Sequence, residues 1–503
     1  MKRRQFLKAA ALAGTATVLG CSKEDEKRQK QKVNGQPLAD FDDKQLLDYC
    51  IIGSGPAGCT IAEQLLSKGK KVTLLESGLD LFNDSDASSH SIKLDTYSNS
   101  GNIKYPLYSS RIRALGGTSN IWTGRCPRLL PSDFAGNPLS PEDGWPISYE
   151  ELKPYYQEAE KKLFVRGEKL TASHAPRELP LPFYKEAKIA KLRETLGPLN
   201  IQIDPPPVSI DNTNSTRRFI DLIIELQEDP NFTLFKGATA TSFGTDNKGT
   251  VTDVKVKYFS PNSTAIKTKT IKARQYIIAC GALESTRLLY LSRNEHFPNG
   301  IGNHSDKLGC YFMEHPFVSY ISDIKPAHKP PHWMMGRTYQ FTEEFNRKGL
   351  GDVLAGFYAS PAALKIALGI EMSPEATNRI TLSPDKKDIF GNPGLDLDFS
   401  FSDRDRNSFA ACDTLASSIF KQLGYDDFTK ESNLHWSHHH IGSTRMSNKA
   451  ADGVVDKNLC VHGTNNLHVA SSSTFVTSGA ANPTLTITAL SLKLAEHLLQ
   501  LNS

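Results

Sequence analysis

Residues 48–78 read DYCIIGSGPAGCTIAEQLLSKGKKVTLLESG, and this stretch decides the fold. Tyr49–Ile52 is an apolar run suited to a buried strand, and Val72–Leu75 is a second one ending at Glu76. Between them a tight turn carries Gly53, Gly55 and Gly58, followed by Pro56, Ala57 and a helix expected over 56–68. The first glycine permits the turn, the second lets backbone approach a pyrophosphate, and the third lets helix pack on strand. The helix N-terminus offers free N–H groups and a positive dipole end to the phosphates. Glu76 lies 23 residues after Gly53, where an acid can accept a ribose 2′-OH and disfavour a 2′-phosphate. A glycine triplet alone is weak, and a chance glycine turn is the bland alternative. Strand, turn, helix, strand and terminal acid in order point to dinucleotide binding without choosing between NAD and FAD.

The rest of the chain is longer than one core needs. At 503 residues two domains are expected. A net charge of +4 with no basic stripe argues against nucleic acid. Eight cysteines are scattered without CxxC or metal spacing, so neither a disulfide framework nor a metal site is indicated.

Residues 1–21 stand apart from the fold. Lys2-Arg3-Arg4-Gln5-Phe6-Leu7-Lys8 is a twin-arginine start, and Ala9–Leu19 is apolar but too short to span a bilayer. Val18-Leu19-Gly20-Cys21 resembles a bacterial lipobox, which makes Cys21 a lipid anchor; an ordinary cleaved signal is the alternative. Export in folded form suits an enzyme that takes up FAD in the cytoplasm better than one using diffusible NAD. The expected location is a periplasmic or cell-surface lipoprotein whose membrane contact is through the N-terminal lipid only. Residues 22–47 are charged and read as a flexible tether.

Two further stretches carry polar signals that periodicity does not explain. Residues 111–134 read RIRALGGTSNIWTGRCPRLLPSDF, with Gly116, Gly117, Ser119, Asn120, Trp122 and Thr123 in a loop suited to backbone contact with a flat polar ring. Residues 434–446 read LHWSHHHIGSTRM, and Asn482-Pro483-Thr484 opens a helix through 499 with Asn as cap. His435, His438, His439 and His440 lack a supporting Asp, Glu or Cys cluster for a metal, and no metal is expected. Structural histidine remains an alternative.

Together these stretches resemble the glucose–methanol–choline (GMC) oxidoreductase family, nearest to its pyranose 2-oxidase and sugar dehydrogenase-like branch. The blocks run in order from residue 48 to the C-terminus. Gly116-Gly117-Thr118-Ser119-Asn120-Ile121-Trp122-Thr123 is similar to a loop that runs past the flavin; Ile121 stands where some relatives carry a histidine linked to FAD, so non-covalent FAD is expected. Residues 275–291 match the second signature at Gly281, Ala282 and Ser285, with Thr286 in place of proline. Residues 308–316, LGCYFMEHP, match a stretch where the chain leaves the FAD domain, and residues 144–160 resemble one of the sugar-oxidising branch. The pattern H-x-x-G-T-x-R-M falls on His439, Gly442, Ser443, Thr444, Arg445 and Met446, with Ser443 replacing threonine.

The resemblance implies an α/β fold, α+β overall, with a Rossmann-type FAD-binding domain interleaved with a substrate domain on an antiparallel sheet. The expected division is 48–135, 218–316 and 435–503 for the FAD domain, and 136–217 and 317–434 for the substrate domain. It implies FAD contacts at Ala240, Ser471, Ser472, Pro483 and Thr484 besides the glycine loops. It implies His439 as base and Asn482 as the second active-site group, a plain helix cap being the alternative. The implied reaction is oxidation of an alcohol group of a sugar, glycoside or polyol, by hydride transfer to flavin. A quinone or cytochrome is the preferred electron acceptor over O₂. A non-redox lyase and a sugar-binding lipoprotein are the rival classes.

Overall fold

Strands β1 (Leu46–Ile52) and β2 (Val72–Glu76) form as their apolar runs require, with nearly every side chain buried. Helix α1 (Pro56–Leu66) joins them and ends two residues earlier than the pattern suggests. The computed structural model describes residues 33–501 apart from 82–83, 85–90, 92–93, 137–143, 167–191, 195, 204–206, 210–215, 261–262 and 329–333. The signal segment with Cys21, and Pro205, Pro206, Pro261 and Asn262, lie outside the described residues.

The first sheet adds β3 (Phe232–Lys236), β4 (Thr239–Thr245), β5 (Val251–Phe259) and β6 (Ile266–Ile278). Its order is β3-β2-β1-β6-β5-β4, with a late strand, Leu467–Val469, also beside β6. β3, β2, β1 and β6 run parallel, while β4, β5 and the first half of β6 form an antiparallel meander. Helices α2 (Tyr149–Lys162), α3 (Phe219–Leu226), α4 (Gly281–Leu291) and, at the C-terminus, Thr484–Leu501 accompany this sheet. Ser148 and Glu151 make the expected capping box of α2 at 3.2 and 2.7 Å.

The second sheet is antiparallel: β7 (Pro316–Asp323), β8 (Met334–Thr338), β9 (Val353–Ala359) and β10 (Ala363–Ile370), in the order β8-β9-β10-β7. One face carries Val353, Ala355, Phe357, Ile366, Leu368 and Val318 into a core shared with helix α5 (Asp403–Gln422). Short strand His435–Trp436 pairs with Pro316 and Phe317 at the start of β7, and the His435 ring stacks on Phe317 on the face opposite this core.

Two expectations are corrected by packing. Residues 33–47 are not a free tether: Val33, Leu38 and Phe41 are buried in the first core, and Gln36 donates to the Leu234 carbonyl at 2.8 Å. Three apolar side chains in a charged stretch anchor it. Residues 144–166 do not join the second sheet: Trp145, Leu152, Tyr156 and Ala159 enter the first core, and α2 packs on the C-terminal helix. Residues 192–203 do pack in the second core, through Leu192, Leu196, Ile201 and Ile203.

Candidate active site

Two strand-to-helix turns meet at the carboxyl ends of β1 and β6, where the sheet's connections diverge, which is where open α/β sheets bind ligands. Gly53 adopts φ +105°, and a Cβ there would lie 2.4 Å from the Ala279 carbonyl oxygen; a Cβ on Gly58 would lie 1.9 Å from the Gly53 carbonyl oxygen. Both are required for packing. Gly55 and Gly281 differ, because a Cβ on either would meet nothing within 4 Å. Gly55 also caps α1 without any side-chain bond, leaving the first-turn N–H groups for another partner. Gly117 closes one side of this space: a Cβ on it would lie 3.3 Å from Gly55 Cα.

This cradle fits the pyrophosphate of FAD: open glycine backbone, an uncapped helix N-terminus and a buried acid beyond it. Glu76 is buried and accepts the N–H and hydroxyl of Ser54 at 3.0 and 2.6 Å and the Gly78 N–H at 2.6 Å. The same Ser54 hydroxyl accepts from Gly116 N–H at 3.1 Å, so Glu76 braces both glycine loops. Ala240 lies at the start of β4, just beyond Ala238, whose N–H reaches the Glu76 carbonyl at 2.9 Å.

In the second loop, Ser119 binds the Gly116 carbonyl at 2.6 Å and accepts from Phe219 N–H at 3.0 Å, and Trp122 Nε1 donates to the Arg217 carbonyl at 2.8 Å. Asn120 donates to the Leu115 and Gly117 carbonyls, while its Oδ1 is buried without a partner. Thr123 is exposed. The side chains of Ser471 and Ser472 are engaged within the protein, with Ser473 and with the His440 carbonyl, and their carbonyls accept from Thr474, Gly442 and Phe475, so what they can offer a ligand is backbone N–H. Both departures from the family pattern meet: Thr286 Oγ1 and Ser443 Oγ are 2.8 Å apart, joining α4 to the histidine loop.

The histidine loop is set by groups that sequence reasoning missed. Buried Glu314 accepts the backbone N–H groups of Ser437, at 3.1 Å, and of His439. Between them His438 takes φ +60°, which turns His439 away from its neighbours. Burial pushes the Glu314 carboxyl up to about 8, partly offset by those N–H donors.

His439 Nδ1 lies 2.8 Å from His315 Nδ1, and His315 Nε2 lies 3.2 Å from the Ser478 carbonyl oxygen. A carbonyl only accepts, so His315 carries its proton on Nε2 and presents a lone pair at Nδ1. His439 must then donate from Nδ1, leaving its Nε2 unprotonated, with a lone pair that accepts. Asn482 donates to that nitrogen at 3.1 Å. Asn482 is therefore not primarily a cap, and its helix begins two residues later, at Thr484.

Burial, then the charges of His315, His438, His440 and Arg337, hold His439 well below the ordinary histidine range, and burial lowers His315 to about 4. Both are neutral near pH 7. A neutral imidazole with a bare nitrogen beside an amide donor can take a proton from a hydroxyl held between them. The neighbouring histidines have other partners: His440 meets Ser110 Oγ at 3.0 Å and His435 meets Glu431 at 2.9 Å. Among the described residues no group of three His, Cys, Asp or Glu is placed to hold a metal. A signal for His315 existed in the Glu314-His315-Pro316 triplet at the end of an apolar run, but nothing local tied it to His439.

Residues 374–491 match the family profile described as GMC oxidoreductase, and residues 51–95 match the NAD(P)-binding Rossmann-like domain. The chain is similar to the fructose dehydrogenase large subunit of Gluconobacter japonicus, 26% identical over 77% of this chain and 80% of that one. It is also similar to paromamine 6′-oxidase of Streptomyces fradiae, 26% identical over 90% and 92%. Among solved structures, formate oxidase of Aspergillus oryzae matches with a TM-score of 0.66 at 16% identity, covering 92% of this chain and 99% of that chain. Pyridoxine 4-oxidase matches with a TM-score of 0.63 at 18% identity, covering 90% and 99%. These likenesses carry the fold.

Proposed function

We propose that this chain, whose residues 374–491 match the GMC oxidoreductase profile, acts as such an enzyme and oxidises a CH–OH group of a sugar, glycoside or polyol using FAD. The observation that carries the reading is the hydrogen-bond chain from the Ser478 carbonyl through His315 to His439, which leaves one bare imidazole nitrogen beside Asn482. The named activities of the fructose dehydrogenase and paromamine oxidase relatives support the alcohol class.

Bound FAD supplies the hydride acceptor. The residues fitted to hold it are Gly53, Gly55, Pro56, Ala57 and Gly58, with Glu76, Gly116, Gly117, Gly281 and the backbone N–H groups of Ser471 and Ser472. Ile121 offers no nucleophile, so the binding is non-covalent. On substrate binding the hydroxyl enters between Asn482 and His439. Asn482 then donates to the substrate oxygen, and His439 Nε2 accepts its proton as the C–H bond gives up its hydride. His315 holds the tautomer that makes this direction of proton transfer available.

An anaerobic titration of the flavin absorbance with hexoses, glycosides and polyols tests the reading. His439→Ala should bind FAD yet stay oxidised on mixing; reduction at the wild-type rate would remove His439 from the mechanism. Cys21 as lipid anchor, export by the twin-arginine route and a quinone or cytochrome acceptor complete the proposal. Palmitate labelling of wild type but not Cys21→Ala tests the anchor, and reduction of a quinone faster than of O₂ tests the acceptor.

A further inference from the structure

The sheet face opposite the second core is mostly small or apolar, with Leu354, Gly356, Ala367, Gly369 and Phe317 in register. One end is different. Arg337 of β8 is paired with Gly356 of β9, and Tyr358, two residues along β9, is paired with Lys365 of β10. Side chains two apart share a face, so Arg337, Tyr358 and Lys365 stand together on the face that also carries Phe317 and its partner His435, four residues before His439. The Tyr358 ring lies flat over Gly356: a Cβ there would be 3.0 Å from Tyr358 Cε2 and 3.2 Å from its Oη. The glycine opposite Arg337 leaves room for the phenol to fold back to the guanidinium, whose charge and hydrogen bond help hold the Tyr358 hydroxyl below the ordinary tyrosine range.

The three polar groups are not equally satisfied. Lys365 is paired with Glu431 at 2.7 Å, and Glu431 also takes His435, which stacks on Phe317 at 4.9 Å. Arg337 has no carboxylate partner among the described residues, and its Nε is buried without any hydrogen bond. A guanidinium taken partly out of water without a counter-ion is costly, and its planar fork is shaped for a carboxylate or phosphate. Its charge contributes to lowering the His439 imidazole, which puts the guanidinium within electrostatic reach of the proposed reacting centre.

We infer that Arg337, supported by Tyr358, is a subsite for a negatively charged substituent, so that the substrate is an anionic sugar, with a carboxylate the best match to the fork. This rests on the proposed oxidation at His439. A phosphate ester offers the same chemistry from another source.

The test compares D-glucuronate with glucuronamide, which differ in charge but hardly in shape, and adds glucose and glucose 6-phosphate. Binding to the holoprotein is measured by calorimetry, and flavin reduction is followed anaerobically. Glucuronate should bind about 10- to 100-fold tighter than glucuronamide, the range of one charge-assisted bidentate contact. Arg337→Gln should bring that ratio close to one, and Arg337→Lys should restore part of it. A like preference for glucose 6-phosphate alone, lost in the same variant, assigns the anion to a phosphate. Equal binding of acid and amide, with no gain for the phosphate, overturns the inference, as does a preference that survives Arg337→Gln. Equal loss of reduction for charged and neutral sugars in that variant also overturns it, because Arg337 would then act at the reacting centre. If neutral sugars reduce the flavin without anion preference, the subsite fails while the oxidoreductase reading stands. If an Arg337-dependent preference appears in binding but nothing reduces the flavin, the oxidoreductase reading fails instead.

Discussion

Replacing His315 by leucine removes one link from the chain Ser478–His315–His439–Asn482. The side chain is buried, at 4% exposure, and its ring nitrogens meet His439 and the Ser478 carbonyl, so the effect reports positioning. His439 Nδ1 loses its partner at 2.8 Å, and the Ser478 carbonyl loses its donor at 3.2 Å. An unmet buried donor costs about 1–3 kcal/mol. His439 relieves that cost by moving its proton to Nε2, which then faces Asn482 and the substrate hydroxyl as a donor and cannot act as a base. A penalty of this size removes the competent tautomer by a factor of roughly 5 to 150, matching the 10- to 100-fold losses common when a residue behind a functional histidine is changed. Stopped-flow reduction of the flavin under anaerobic conditions should show that loss in the limiting rate, with flavin content and the substrate concentration at half-rate little changed. His315→Gln keeps an acceptor oxygen towards His439 and a donor nitrogen towards Ser478, so it should recover most of the rate. A leucine variant that reduces its flavin as fast as wild type would falsify the tautomer argument. Equal losses for leucine and glutamine, at full flavin occupancy, would refute it too.

Three further outcomes are expected. Gly55→Ala should fold with an unchanged melting temperature yet purify without flavin, because its Cβ points into empty cradle; Gly58→Ala, 1.9 Å from the Gly53 carbonyl oxygen, should be destabilised itself, and calorimetry with flavin quantitation separates the two. Asn482→Ala should lower the limiting rate of flavin reduction about 10- to 100-fold, and Asn482→His, which restores a donor, should recover part of it. Burial lowers His315 to about 4 from an ordinary 6.5, so between those values the unfolded chain takes up a proton that the folded one refuses. Stability from this residue is therefore full above pH 6.5 and lost as pH falls towards 4. Relative to His315→Gln, the wild type should lose about 3 kcal/mol over that window in urea unfolding, and a constant difference would count against a neutral buried His315.

Much of the fold is local in origin and was legible as such. The turn from Ile52 to Pro56 must admit Gly53 at φ +105°, and the runs on either side need no distant partner to declare themselves strands. In the stretch 434–446 it was the resemblance to the family pattern, through the spacing of His439 to Gly442 and Arg445, that set His439 apart from its neighbours. Amphipathic pattern was less informative about destination. Helix α2 shows an apolar face, but a face says that a core exists and not which one, and it joined the first rather than the second. Val33, Leu38 and Phe41 were lost to view among charges, although three buried side chains suffice to hold a segment down.

The chemistry of the site was decided in space. Residue types and short spacings determined that a dinucleotide cradle, a histidine and an asparagine are present. Only the tertiary structure decided which histidine nitrogen is bare, because that depends on His315, 124 residues before His439, and on a carbonyl 163 residues beyond His315. It alone brought Arg337, Tyr358 and Lys365 to one end of one sheet face, since strand register across three adjacent antiparallel strands sets which side chains are neighbours. Short-range sequence pattern records the period of an element and its buried side. Proton position and charge pairing are set by contacts between segments far apart in the chain, and those exist only once both cores have closed.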